Sequence, residues 1–249
     1  MLNSSEKIIP QLAAQLLSAQ RIVVMTGAGV SAESGISTFR DSEDSYWSQF
    51  DPMTLASLDG FSDNPQRVWH WYQWRRQQIA LARPNPAHVG LAHLQRRLPL
   101  YLITQNVDGL HQQAGSQQVC ELHGNIFINQ CVSVSCNYRE QHQDNASDLI
   151  TCPQCQQAYL RPGVVWFGEC LAAERLEAAD LASRDCDLFL SMGTSAAVYP
   201  AAGFAALAKQ SGAQIIEINP AATPLSEHAD WVIRAPVGSV FERLMPLLS

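Results

Sequence analysis

Five short segments stand out along the chain as continuous apolar runs rich in β-branched residues: "RIVVMT" (21–26), "LYLIT" (100–104), "DLFLSM" (187–192), "QIIEI" (214–218) and "WVIR" (231–234). Runs of this length without polar alternation read as strands buried on both faces. Between them the pattern turns helical, as in "AAERLEAADLAS" (172–183) and "AAGFAALAKQSG" (201–212), the latter stopped by Gly212. The opening stretch, "MLNSSEKIIPQLAAQLL", reads as a capped amphipathic helix. Strands alternating with helices build a parallel, doubly wound sheet, so the expected class is α/β and Rossmann-like.

One helical stretch is unusual. "VWHWYQWRRQQI" (68–79) holds three tryptophans, a tyrosine and two arginines. Tyr72 and Arg75, spaced i and i+3, share a helix face. Two readings stay open at this point: a stripe packed into a core, or a pair that reads a ligand while Trp69 and Trp71 pack.

The segments that follow the strands narrow the function. After the five strands come "GAGVSAESG", "QNVDGLH", "GTSAAV", "NPAAT" and "APVG". In an open α/β sheet ligands bind outside the carboxyl ends of the strands, so five small, polar loops describe one nucleotide site. Gly27, Gly29 and Ala32 fit G-x-G-x-x-[G/A], in which glycines let the backbone approach a pyrophosphate. No acidic residue ends a second strand about 20 residues on, as the dehydrogenase fingerprint requires. "ISTFRDSED" follows instead, which points to a dinucleotide used for something other than hydride transfer.

Composition supports this picture. A chain of 249 residues with 47% hydrophobic content can bury a sizeable core as one domain with small insertions. The formal charge of −7 (16 basic against 23 acidic) argues against a nucleic-acid partner. No apolar run approaches the ~20 residues of a membrane span, and the start lacks the features of a signal peptide. Seven cysteines, four of them grouped, do not form a secreted disulfide framework, so the expected compartment is the cytoplasm. The grouped four, Cys131-x4-Cys136 and Cys152-x2-Cys155, have the spacing of a tetrahedral zinc ribbon. With four thiolate corners, that metal is structural. Cys120, Cys170 and Cys186 read as core residues.

Taken in order, "GAGVSAESGISTFR" (27–40), "TQNVDGLH" (104–111), "LHGN" (122–125), the four cysteines, "VVWFGE" (164–169) and "GTS" (193–195) resemble the sirtuin family of NAD-dependent protein lysine deacylases across roughly residues 20 to 240. The resemblance implies one catalytic domain, 1–249. Its Rossmann-like part would span 1–41, 85–125 and 161–249, with a helical insertion at about 42–84 and a zinc module at about 126–160. It implies NAD as co-substrate, acylated-lysine proteins or peptides as substrate, and nicotinamide and O-acyl-ADP-ribose as products.

By position, His123 matches the family's base, and Asn106 would be the second catalytic residue. Gly27, Ala28, Gly29, Ser31, Ala32, Glu33, Ile36, Phe39 and Arg40 would form the first cofactor loop. Gln105, Asn106, Val107 and Asp108 would line the ribose and nicotinamide, and Gly193, Thr194 and Ser195 the ribose and phosphate. Asn219, Pro220, Ala221 and Val237 would meet the adenosine half. Val165, Trp166 and Phe167 would flank the acyl-lysine. Tyr72-x-x-Arg75, with a small side chain at Ala56, looks like the branch that removes succinyl and malonyl groups.

Two departures stand out: Ser37 replaces a proline usual in the first loop, and "DSED" (41–44) replaces a Gly-rich stretch. Two alternatives remain open: a plain deacetylase, and an NAD-binding sensor without turnover.

Overall fold

The computed structural model describes residues 4–37, 52–142 and 148–248. Phe39, Arg40 and the 41–44 acidic run lie outside the described residues. The strands are β1 (Ile22–Thr26), β2 (Leu100–Thr104), β3 (Val119–Glu121), β4 (Gly124–Cys131), β5 (Arg139–Gln141), β6 (Leu160–Val164), β7 (Leu188–Met192), β8 (Gln214–Ile218) and β9 (Trp231–Ile233). The helices are α1 (Ser4–Ser18), α2 (Ala28–Ala32), α3 (Pro52–Leu55), α4 (Leu58–Asp63), α5 (Pro65–Leu81), α6 (Pro86–Gln95), α7 (Leu110–Gln113), α8 (Ala173–Asp185), α9 (Gly203–Gln210) and α10 (Val237–Leu244).

Six strands form one sheet in the order β3-β2-β1-β7-β8-β9, with every pairing parallel. All five strands expected from the apolar runs are present. The sixth, β3, is three residues of mixed character, too short to show a period. Side chains alternate between two cores. Ile22, Val24, Leu190, Met192 and Ile216 face one core, shared with α1, α6 and α10. Val23, Met25, Phe189 and Ile215 face the other, under α8 and α9. Gly212 ends α9 with φ +95°, and the N–H groups of Gly212 and Ala213 close back on Lys209 O and Ala208 O.

The strand order reverses between β1 and β7, which opens a crevice at the carboxyl ends of those two strands. Two insertions border it. Between β1 and β2 lie α3, α4 and α5. The last of these starts at Asn64, whose side chain accepts the Arg67 N–H, with Pro65 in the first helical position. Between β3 and β7 lies a small antiparallel sheet, β5-β4-β6. It is interrupted: Asn125 pairs with Gly163 but Asn129 pairs with Pro162, so β4 bulges over residues 126–128. Helix α5 is apolar on more than one face. Trp69 packs on Cys131, Cys152 and Leu160, while Val68, Trp71, Tyr72 and Ile79 pack with Leu55, Phe61, Ile126, Val164 and Trp166.

Candidate active site

The loops at the strand ends extend the sheet's own hydrogen-bond ladder. Gly27 N–H donates to Met192 O, Gln105 N–H to Thr26 O, Gly193 N–H to Ile218 O and Asn219 N–H to Ile233 O. The first and third loops touch backbone to backbone. A Cβ on Gly29 would lie 2.7 Å from Gly193 O, and one on Gly193 would lie 2.5 Å from Val30 N. This contact gives the crevice a floor without side chains, as a pyrophosphate requires.

Polar side chains converge on that floor. Asn106 Nδ2 donates to Gly27 O (3.1 Å) and to Ser31 Oγ (3.0 Å), and Ser31 Oγ donates to Asp108 Oδ2 (2.7 Å). Gln105 Nε2 donates to Thr194 Oγ1 (2.9 Å) and Asn219 Nδ2 to Thr194 O (2.7 Å), so three strand ends are cross-braced. Glu33 accepts the Gly238 N–H at 2.6 Å, which seats α10 and its buried Val237 beside the first loop. Ile36 and Val107 border the apolar cluster around Trp166. Ala28, Ala32 and Ser195 line the loops, and Pro220 and Ala221 are exposed at the rim.

His88, which the sequence did not single out, lies behind Ser31. Its Nδ1 accepts the Asn85 N–H, so its Nε2 carries the proton that faces Ser31 Oγ at 3.5 Å. Burial pushes His88 down to about 4 and His111 to about 3, so both are neutral at pH 7. A lone histidine on a helix face carries no signal of such a role in the sequence.

His123 immediately precedes β4. Its Nδ1 can only donate to Gln105 O (2.9 Å), which leaves Nε2 with the lone pair in the neutral ring. Burial lowers its pKa below the ordinary histidine value, opposed by that hydrogen bond. The ring is therefore a neutral, oriented proton acceptor at pH 7. Its own carbonyl accepts the Val165 N–H at 2.8 Å, so His123 and the Val165–Phe167 segment share one scaffold. That segment is braced by Glu169, which accepts from Trp166 N–H (2.7 Å) and from Arg161 (2.8 Å). The Arg161 guanidinium lies 4.0 Å from the Trp166 ring centroid. Phe167 is half exposed, and its N–H donates to Ala56 O at 2.8 Å.

Tyr72 is buried, with its hydroxyl accepting the Trp166 indole N–H at 2.9 Å. Its own proton remains to donate, and burial pushes the hydroxyl up to about 12, so that proton stays on at neutral pH. Arg75 is half-buried over the Trp71 ring at 5.6 Å. Burial lowers it to about 10, while Tyr72 and Asp108 favour its charge, so it is a cation at pH 7. Asp108 is raised, chiefly by burial and against the Ser31 and Leu110 hydrogen bonds and the Arg75 charge. Arg75 is thus electrostatically linked to both Tyr72 on its own helix and Asp108 in the loop after β2.

The four grouped cysteines meet as spaced. Cys131 and Cys155 Sγ are 3.7 Å apart, Cys136 and Cys152 Sγ 3.8 Å, and all four lie within 4.8 Å of one another. A tetrahedron with Zn–S of about 2.3 Å has edges of about 3.8 Å. Disulfides, at about 2.05 Å, are excluded. The donor set therefore fits one structural zinc ion.

A parallel sheet with this reversal and a glycine floor defines a dinucleotide-binding α/β protein. The chain belongs to the Sir2 family, the sirtuins, whose profile matches residues 27–200. An NAD-dependent protein deacylase of Methylococcus capsulatus is 46% identical over 246 residues, 96% of this chain and 94% of that one. Another, of Aquifex aeolicus, is 49% identical over 212 residues, 84% and 87% of the two chains. A Sir2 homologue solved in complex with NAD superposes with a TM-score of 0.87 at 41% identity, covering 98% of this chain and 95% of that one. NAD is the family's cofactor, and the four cysteines fit its structural zinc.

Proposed function

We propose that this chain is an NAD-dependent protein lysine deacylase that removes succinyl and malonyl groups, and also acetyl, from lysine. The deacylase activity is that of the family and of the relatives named above. The observation that carries the dicarboxylic preference is the Tyr72–Arg75 pair, a buried donor and a charged guanidinium on one helix face beside Trp166. An acyl carboxylate buried without a partner costs several kcal/mol. Arg75 supplies a permanent cation with a forked donor set, and Tyr72 a hydroxyl proton. Ala56 leaves room for the longer chain.

On this reading NAD, when bound, would supply an electrophilic ribose carbon for the amide oxygen of the acyl-lysine, with nicotinamide as the leaving group. The first-loop residues and Thr194 hold its phosphates and ribose, while Asn106 and Asp108 face the nicotinamide. Asn219, Pro220, Ala221 and Val237 meet the adenosine half. His123 takes a ribose hydroxyl proton on Nε2. Val165 and Phe167 clamp the substrate backbone by strand addition, with Trp166 beneath. The chain divides into a Rossmann-like part, a helical insertion carrying the acyl-reading pair, and a zinc module.

The test is nicotinamide release from acetyl-, malonyl- and succinyl-lysine peptides of one sequence, by the parent and Arg75→Met. The expected outcome is a loss of roughly tenfold or more in desuccinylation, about 1.4 kcal/mol, with deacetylation far less affected. Equal losses on all three peptides would make the chain a plain deacetylase with an incidental arginine.

A further inference from the structure

Next to Arg75 lies a second arginine with an entirely different environment. Arg76 is 2% exposed, and its guanidinium is 5.4 Å from the Trp69 ring centroid. Its Nε donates to Ile126 O (2.6 Å), Nη2 to Asn129 Oδ1 (2.8 Å) and Ile128 O (3.3 Å), and Nη1 to His142 Nδ1 (2.9 Å) and Gln73 Oε1 (3.3 Å). Ile126 and Ile128 belong to the bulge, where β4 loses its pairing with β6. Arg76 therefore satisfies carbonyls that the sheet leaves without a ladder partner on that side.

What the bulge touches gives this contact a functional meaning. Ile126 N–H donates to Val107 O at 2.9 Å, so the peptide group whose carbonyl receives Arg76 neighbours one bonded to the Asn106–Asp108 loop. β4 begins at Gly124, the residue after His123. Tyr72 and Arg76 are one helical turn apart, and Arg75 adjoins Arg76. A single buried guanidinium thus bolts the acyl-reading turn of α5 to the strand that starts at the base and to the loop that faces the nicotinamide.

We propose that Arg76 is a positioning residue for acyl-chain selectivity: it fixes the distance between the carboxylate-reading pair and His123, and so the acyl length the pocket accepts. The inference rests on the dicarboxylic reading of Tyr72 and Arg75. An acetyl group does not reach that pair, so its turnover is insensitive to the setting. A lysine at 76 keeps the charge but offers one point donor in place of a fork that spans the bulge.

The experiment measures kcat/KM for succinyl- and acetyl-lysine peptides of one sequence, with thermal melting, for the parent, Arg76→Lys, Arg76→Met and Arg75→Met. The expected result is a succinyl-to-acetyl ratio lowered roughly fivefold or more in Arg76→Lys, with deacetylation retained, and lowered at least as far in Arg76→Met where that variant folds. If Arg75→Met lowers the ratio but Arg76→Lys leaves it within twofold of the parent, Arg76 is a structural anchor only and the inference is overturned. If Arg75→Met itself leaves the ratio unchanged, the dicarboxylic reading fails and takes the inference with it.

Discussion

Replacing Tyr72 by phenylalanine separates two quantities that the same hydroxyl serves. The oxygen accepts the Trp166 indole N–H at 2.9 Å, and Trp166 is itself only 2% exposed, so water does not take its place. Leaving a buried donor unsatisfied costs ~1–3 kcal/mol. For a chain of this size each kcal/mol lowers the melting temperature by about 2–4 °C, so a drop of roughly 5 °C is expected. Ring packing survives, because the edge-on contact with Trp71 at 4.6 Å between centroids does not use the hydroxyl.

Catalysis responds differently. With its pKa pushed up to about 12, Tyr72 is a donor across the whole assay range. A hydrogen bond from it to a carboxylate is worth ~1.5–3 kcal/mol, or about 10- to 160-fold in kcat/KM for a succinyl peptide. Acetyl-lysine has no carboxylate, and its kcat/KM should change less than about threefold. Nicotinamide release on both peptides, with a melting curve on the same preparation, reads all three numbers. Parallel losses on the two peptides would show that the hydroxyl serves packing alone, and an unchanged melting temperature would remove the indole bond from the account.

Three further outcomes are expected. His123→Ala should retain NAD binding by calorimetry yet lose deacylation by ~10²-fold or more, and parent kcat/KM should fall on the acid side only below the ordinary histidine range of about 6.5, because burial lowers the pKa of His123. Freshly purified protein should contain one zinc per chain by metal analysis, and Cys152→Ser should lower the melting temperature rather than remove chemistry selectively. His88 is buried neutral, with its pKa held down at about 4 against about 6.5 in the unfolded chain. The unfolded state therefore binds the proton first: the stability is complete above pH 6.5 and lost as pH falls toward 4, by ~3 kcal/mol in all. His88→Gln should reduce the slope of the melting-temperature profile over that window, leaving the part contributed by His111, and an unchanged slope would remove His88 as a source.

The parts legible in the sequence are those that a local pattern encodes. β1, β2, β7, β8 and β9 are each apolar runs long enough to stand out, and each is followed by a polar loop. The four cysteines show their geometry through spacing. β3 was not legible, since Val119–Glu121 is only three residues and pairs because β2 is already there. Nor was the division of labour between Arg75 and Arg76. They are identical in type and adjacent, and only the fold shows that Arg76 is swallowed against the bulge in β4 while Arg75 stays half-exposed. The His88–Ser31–Asp108 chain spans 77 residues between Ser31 and Asp108, a distance no local period can report.

The contact between Gly29 and Gly193 constrains how this chain can vary. A methyl group at 29 meets the carbonyl oxygen, Cα and carbonyl carbon of residue 193 at 2.7–3.1 Å, and one at 193 meets Val30 N and the carbonyl carbon of residue 29 at 2.5 and 2.8 Å. Most of the atoms in the way are backbone, which every amino acid possesses. A second substitution on the opposite loop therefore has nothing to trim, and no compensating partner exists at either site. Drift at these positions has no paired route: each glycine is fixed on its own account, and the route to a different nucleotide floor runs through rebuilding a loop rather than through exchanging residues.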